Sequence, residues 1–275
     1  MTGPWPREFV ALVAGVFGAC AGSFLNVCIY RIPRELSVVR PRSRCPSCGT
    51  PIAWYDNLPL LSWLALRARC RACGVPISPR YVLVEALMAA LWAAVGWKHG
   101  WDPRTLLYAL AMFGLALAAF VDLDEMYIPD RVSIGGILVG FAAGWLWPEL
   151  HDVAGRWAGL RHAAVGALAG AGSLALLGWA GERIFGQEAM GMGDVKLMAA
   201  IGALLGWPAV VFTFFVASLT GATAGLLLVA LRRREMRSAI PFGPFLALGA
   251  AAWMLGGADL WEVYVLTAAR WWREG

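Results

Sequence analysis

Eight apolar runs broken by short polar stretches dominate the chain: Phe9–Tyr30, Tyr81–Trp97, Leu106–Val121, Val132–Trp147, His162–Phe185, Val195–Trp207, Ala209–Leu231 and Phe242–Gly257. A membrane-crossing helix needs about 20 apolar residues. The pattern therefore predicts an all-α polytopic membrane protein with about eight transmembrane helices. The run at Val195 is short for a bilayer. It must borrow flanking residues, sit behind other helices, or merge with its successor around Pro208, which would leave seven spans. The tail LWEVYVLTAARWWREG is too polar to span, and its Trp271–Trp272 pair suits an interfacial anchor. GVFGACAGSF, GALAGAG and GATAG place small residues at close-packing spacings, a matter of architecture.

Composition agrees with the pattern. Hydrophobic residues make up 60% of the 275 positions and charged residues 15%, against about 25% charged in a soluble domain. Mean hydropathy is +0.63. The apolar runs continue toward the C-terminus, and the first has Arg7 and Glu8 before it and no small-residue cleavage pattern after it. It is expected to stay in the mature protein rather than act as a signal peptide. The net charge of +5 does not argue for nucleic acid, because the basic residues sort by side. In an eight-span layout, segments 31–80, 122–131, 182–196 and 232–241 share one face and hold 16 Lys and Arg, against seven on the other. The richer face is cytoplasmic by the positive-inside rule, with both termini outside.

Between the first two spans, CPSCGTPIAWYDNLPLLSWLALRARCRACG carries two C-x-x-C pairs, Cys45/Cys48 and Cys70/Cys73, each followed by glycine. Four thiolates at this spacing suit one tetrahedral structural zinc. Disulfides are disfavoured in a cytoplasmic loop. Arg42, Arg44, Arg69 and Arg71 are expected to help keep the thiols ionised. A loop of about 50 residues has little core, so metal binding would supply its folding energy. Cys20 and Cys28, inside the first span, read as small packing residues. The layout is a first transmembrane helix (1–30), a cytoplasmic zinc-binding domain (31–80), a transmembrane catalytic domain (81–258) and an interfacial tail (259–275).

Two aspartates stand at the cytoplasmic ends of apolar runs. Asp122 directly follows the run ending at Val121, and Asp194 lies in GMGDVKLMAA just before another run. The layout puts both on one face at similar depth, although 72 residues separate them. Two carboxylates brought close cannot both ionise cheaply, so one keeps a proton while the other acts as base. That is the logic of an aspartic peptidase. Gly191 and Gly193 let the backbone turn tightly beside Asp194. The bland alternative is helix capping, which is how Asp130 reads, with Asp124 and Glu125 as solvated interfacial charges. Proton relays and ion sites also use intramembrane acids. A proton-coupled transporter with a zinc-binding regulatory domain therefore stays open, as does a membrane scaffold. His99, His151 and His162 fall at the outer side, and none completes a Ser-His-Asp grouping.

At this point the motifs resemble the bacterial type IV prepilin peptidases, the prepilin leader peptidase/N-methyltransferases. GSFLNVCIYRIP is similar to the family's opening motif, and the cysteine loop through VLVEAL to its zinc loop. VDLDEMYIPD and GMGDVKLMAAIGALLG are similar to its two aspartate motifs, and IPFGPFLALGA to its closing motif. The resemblance implies an inner-membrane endopeptidase acting on type IV prepilins and on pseudopilins of type II secretion, cutting after a glycine that ends a basic leader. It also implies N-methylation of the new N-terminus with S-adenosylmethionine as donor. It makes Asp122 and Asp194 catalytic and Cys45, Cys48, Cys70 and Cys73 the zinc ligands. Asp124, Glu125, Asp130, Glu182 and Glu188 lie near the same face and are expected to attract the leader's basic residues. Lys196 is a further candidate for substrate contact. The lipid bilayer is the other expected partner, and no nucleic acid is expected. No residue is assigned to the methyl donor.

Overall fold

The computed structural model describes residues 4–186, 190–231 and 240–274, without the side chains of 185 and 269–274. The described residues fold into helices, with only isolated bridges of extended chain in the cysteine loop. The chain packs as two units, Met1–Leu117 and Ala118–Gly275.

In the first unit, α1 (Arg7–Arg31) and α3 (Pro79–His99) pack along their length. The glycines of the small-residue motif make this possible. A Cβ on Gly18 would lie 2.5 Å from the Met88 carbonyl oxygen, and one on Gly22 would lie 2.7 Å from Glu85 Cα. The small-residue reading thus holds: the two backbones approach too closely for any side chain. The local sequence sets the ends of α3. Ser78 Oγ accepts the Arg80 amide and Pro79 opens the helix, while Gly100 ends it at φ 63° with its amide on Gly96 O. Asn26 Nδ2 donates to the carbonyls of Gly22 and Tyr81, pinning the end of α1 to the start of α3. Cys28 is buried as expected, whereas Cys20 lies exposed on the surface of α1. The loop between the helices holds the cysteine knuckles and one short helix, α2 (Leu61–Ala65).

α4 (Pro103–Glu125) runs from the first unit into the second, and its last turn carries Asp122. There follow α5 (Asp130–Leu146), α6 (Arg156–Phe185), α7 (Met192–Leu205), α8 (Trp207–Ala230), α9 (Gly243–Ala252) and α10 (Ala258–Glu274). α7 is the centre of this unit, packed against α5, α6, α8 and α9. Its residues Leu197 to Ala203 are all buried. Glycine again sets the spacing: Gly166 meets Gly202 and Gly170 meets the Met198 carbonyl, in contacts that leave no space for a methyl group.

Each of the eight apolar runs forms helix, but eight crossings are not established. Five helices are long and apolar enough to cross a membrane: α1, α3, α4, α8 and Arg156–Ile184 of α6. α5, α7 and α9 are shorter. The seven-span alternative, with the runs on either side of Pro208 merged, does not hold. Gly206 separates α7 from α8 at φ 84°, and Pro208 sits in the first turn of α8, where its missing amide costs nothing. α9 continues through a kink at Gly256 into α10, which carries the polar tail as a helix. The side chains of Trp271 and Trp272, the expected anchor, lie outside the described residues.

Candidate active site and metal centre

Asp122 is buried at 6% exposure. Its Oδ2 accepts the backbone N–H of Gly243, the first residue of α9, at 2.9 Å. A Cβ there would stand 2.8 Å from that same oxygen, so any larger residue would have to displace the carboxylate. Asp194 lies in the first turn of α7 with its amide on Gly191 O. Its Oδ1 is buried and has no hydrogen-bond partner among the described residues. Ile128 lies between the two: a Cβ added at Gly193 would stand 3.1 Å from Ile128 Cβ, and one added at Gly243 would stand 3.1 Å from Ile128 Cδ1, so both glycine backbones pack close to it. Helix packing thus brings the two motifs together, a last turn and a first turn meeting over one isoleucine.

The other acids divide. Asp130 is not a cap, because α5 starts at Asp130 itself and no side chain caps it. Its carboxylate instead meets Lys196 Nζ at 2.8 Å, tying α5 to α7 just beyond Asp194. Asp124 lines a cleft of about 550 Å³ whose other walls include Leu123, Met126, Leu228, Ile240 and Phe245. Its lining comes from residues just after Asp122 in the chain and on either side of Gly243, with Ala224 and Leu228 from α8. Glu125 closes α4, and Glu182 lies exposed near the end of α6. Glu188 falls outside the described residues. His151 and His162 stack on each other at 5.7 Å around the start of α6. Burial, and then the charge of His162, hold His151 below its ordinary value. Gly243 and Ile128 escaped the sequence reading. IPFGPFLALGA and MYIPD contain them, but neither residue has an ionisable side chain to mark it.

In the cysteine loop the two knuckles share one geometry. The amide of the first cysteine bonds the carbonyl five residues on, and the following glycine's amide returns to the first cysteine's carbonyl, all at 2.9 Å. Gly49 and Gly74 sit at φ 72° and 71°, a conformation that costs other residues more. The four sulfurs lie within 4.8 Å of one another, and Cys45 Sγ and Cys73 Sγ are 3.9 Å apart. Tetrahedral zinc at about 2.3 Å from each sulfur sets them roughly 3.8 Å apart, so the donor set fits. The thiols are not shifted alike: Cys73, despite the Val75 amide, is pushed up to about 11 by burial and the neighbouring sulfurs. Hydrogen bonds with the Thr50 side chain and backbone bring Cys48 down to about 6, and the amides of Cys73 and Ala72 lower Cys70. Arg71 is taken up by Asp56 in a two-pronged pair at 2.6 and 2.8 Å.

Comparison with known proteins places this arrangement. Residues 16–99 match the bacterial peptidase A24 N-terminal domain, and residues 109–226 match the type IV leader peptidase family. A prepilin leader peptidase/N-methyltransferase of Aeromonas hydrophila is 38% identical over 276 residues, covering 91% of this chain and 92% of that protein. The chain belongs to the prepilin leader peptidase/N-methyltransferase family. A member from Pseudomonas aeruginosa is 32% identical, covering 94% of each protein. One from Myxococcus xanthus is 46% identical over 215 residues, 78% of this chain and 62% of that protein. No solved structure matches the chain. Family membership and five apolar helices make it a multi-pass inner-membrane protein. Nothing in the comparisons supports the transporter reading.

Proposed function

We propose that this chain is a membrane aspartic endopeptidase that removes the leader of type IV prepilins and pseudopilins, with Asp122 and Asp194 as its catalytic pair. The observation that carries the reading is the meeting of the two acids over Ile128, in a family whose members are named for this reaction. The pair shares one proton and titrates as a unit. The Gly243 amide favours the ionised form at Asp122, so Asp122 takes the proton from water as the water oxygen attacks the scissile carbonyl. Asp194 holds the shared proton, donates a hydrogen bond to the carbonyl oxygen, and then helps protonate the departing amine as the C–N bond breaks. The products are the leader's free carboxylate and the pilin's free amine.

On this reading the scissile bond lies at the cytoplasmic edge of the bilayer, beside the helix ends that carry both acids. The cleft beside Asp122 receives the substrate backbone, and Asp124 on its wall, with Glu125, faces the basic leader. Zinc, held by Cys45, Cys48, Cys70 and Cys73, supplies a structural cross-link between the knuckles; the domain of residues 31–80 folds around it. N-methylation of the new amine follows in the same chain, with S-adenosylmethionine as donor.

The test is cleavage of a prepilin by purified wild type, Asp122→Asn and Asp194→Asn proteins, read by mass spectrometry with S-adenosylmethionine present. Wild type trims the leader and adds a methyl mass to the pilin, and neither variant cuts. Cleavage by either variant at the wild-type rate would refute the pair. Raised salt weakens substrate capture if leader charge matters, and a flat salt response would remove Asp124 and Glu125 from that role.

A further inference from the structure

We infer that the segment between the knuckles, residues 54–65, docks on the cytoplasmic leaflet of an anionic bilayer, so that the zinc module lies against the membrane. Three observations converge. The first is depth. The Leu60 amide donates to Glu85 Oε2 at 2.8 Å. Glu85 lies six residues into α3, roughly 9 Å along the helix at 1.5 Å per residue. The tip of the loop is held beside a membrane span instead of being lifted away from it.

The second is the way the segment turns its polar groups inward. Ser62 Oγ accepts the Leu58 amide and donates to the Tyr55 carbonyl, both at 3.0 Å. Trp63 Nε1 donates to Ile77 O, and Asp56 is paired with Arg71. The apolar side chains are left outside: Trp54 is 78% exposed, Leu61 65% and Leu64 64%, with Tyr55 and Leu58 also exposed. A water-facing module gains nothing from such a surface. An aromatic and aliphatic face with satisfied polar groups fits the headgroup boundary.

The third is charge. Segment 31–80 carries nine arginines and only two acids, Glu35 and Asp56. Arg67 and Arg69 directly follow α2, and both are exposed. Basic residues next to a span draw anionic headgroups.

The test uses the zinc-loaded wild-type chain in vesicles carrying a photoactivatable phospholipid, either phosphatidylcholine alone or mixed with phosphatidylglycerol. Peptides are mapped for lipid adducts by mass spectrometry. The expected result is labelling within 54–65, rising about fivefold with the anionic lipid. In a Leu61→Asp, Leu64→Asp double variant that retains its zinc, the labelling falls. Absence of adducts in 54–65 while α1 is labelled would overturn the inference. Equal labelling in neutral vesicles would overturn its anionic part. Loss of labelling when prepilin is added would assign the face to the substrate instead. None of these readouts requires cleavage, so they stand apart from the test of the catalytic pair.

Discussion

The cysteine knuckles and the carboxylate pair both gather residues that are distant in the chain, but by different means. Each knuckle is a local turn that closes its own hydrogen bonds and uses a glycine at positive φ; the second repeats the first with the same geometry. The aspartates have no such device. Asp122 ends one helix and Asp194 begins another, and what aligns them is the packing of α7 among its neighbours and the α9 start at Gly243. The metal centre therefore answers to its own loop, and the pair to the whole second unit. Damage to one should leave the other's readout intact.

The largest expected effect comes from the acids. Asp122→Asn or Asp194→Asn lowers the rate of leader cleavage by about 10²–10⁴-fold or more, with zinc content unchanged by elemental analysis. Loss of zinc from the Asn variants would break the separation. Next, Cys70→Ser empties the metal centre and exposes residues 31–80 to limited proteolysis, while the protease pattern of the second unit stays that of wild type. Gly243→Ala drives a methyl group against Asp122 Oδ2 and cuts kcat by about tenfold, a displacement effect on positioned groups. Gly202→Leu acts from inside the membrane: overpacking against Gly166 costs about 1–3 kcal/mol and lowers thermal stability and cleavage, yet zinc stays bound. The smallest effect is that of Lys196→Met. The Asp130 pair it removes is partly exposed, 35% at Lys196 and 53% at Asp130, so the loss is at most about 1 kcal/mol by thermal denaturation. A collapse of activity in that variant would move Lys196 from scaffold to substrate contact.

The difference in range also explains what could be read from the chain. The knuckles were legible because their chemistry is written in contiguous residues, glycines included. Asp122 and Asp194 were legible as charges interrupting apolar runs, and a topology count placed them on one face. The Gly243 amide was not, because a backbone donor leaves no mark in a sequence and its partner lies 121 residues away. The cap assigned to Asp130 failed for a related reason: α5 starts one residue earlier than the cap requires, and Lys196 arrives from another helix. What the sequence did not show is that Thr50 and the knuckle amides bond Cys48 and Cys70 and that Arg71 is engaged by Asp56. The short run at Val195 did raise the option of a helix sitting behind others, and α7 is indeed buried through seven consecutive residues.

That burial bears on how the protein is made. A helix of 14 residues extends about 21 Å at 1.5 Å per residue, short of a hydrocarbon layer about 30 Å thick. It has no broad lipid-facing side to recommend it to the bilayer alone. During biosynthesis α7 must therefore enter as a passenger of helices already in place, α5 and α6, whose glycines are shaped to receive it. Asp194, proposed above as half of the pair, rides on its first turn, so on that proposal the pair is completed only when that late insertion succeeds, and a chain stalled before it would be inert in the membrane.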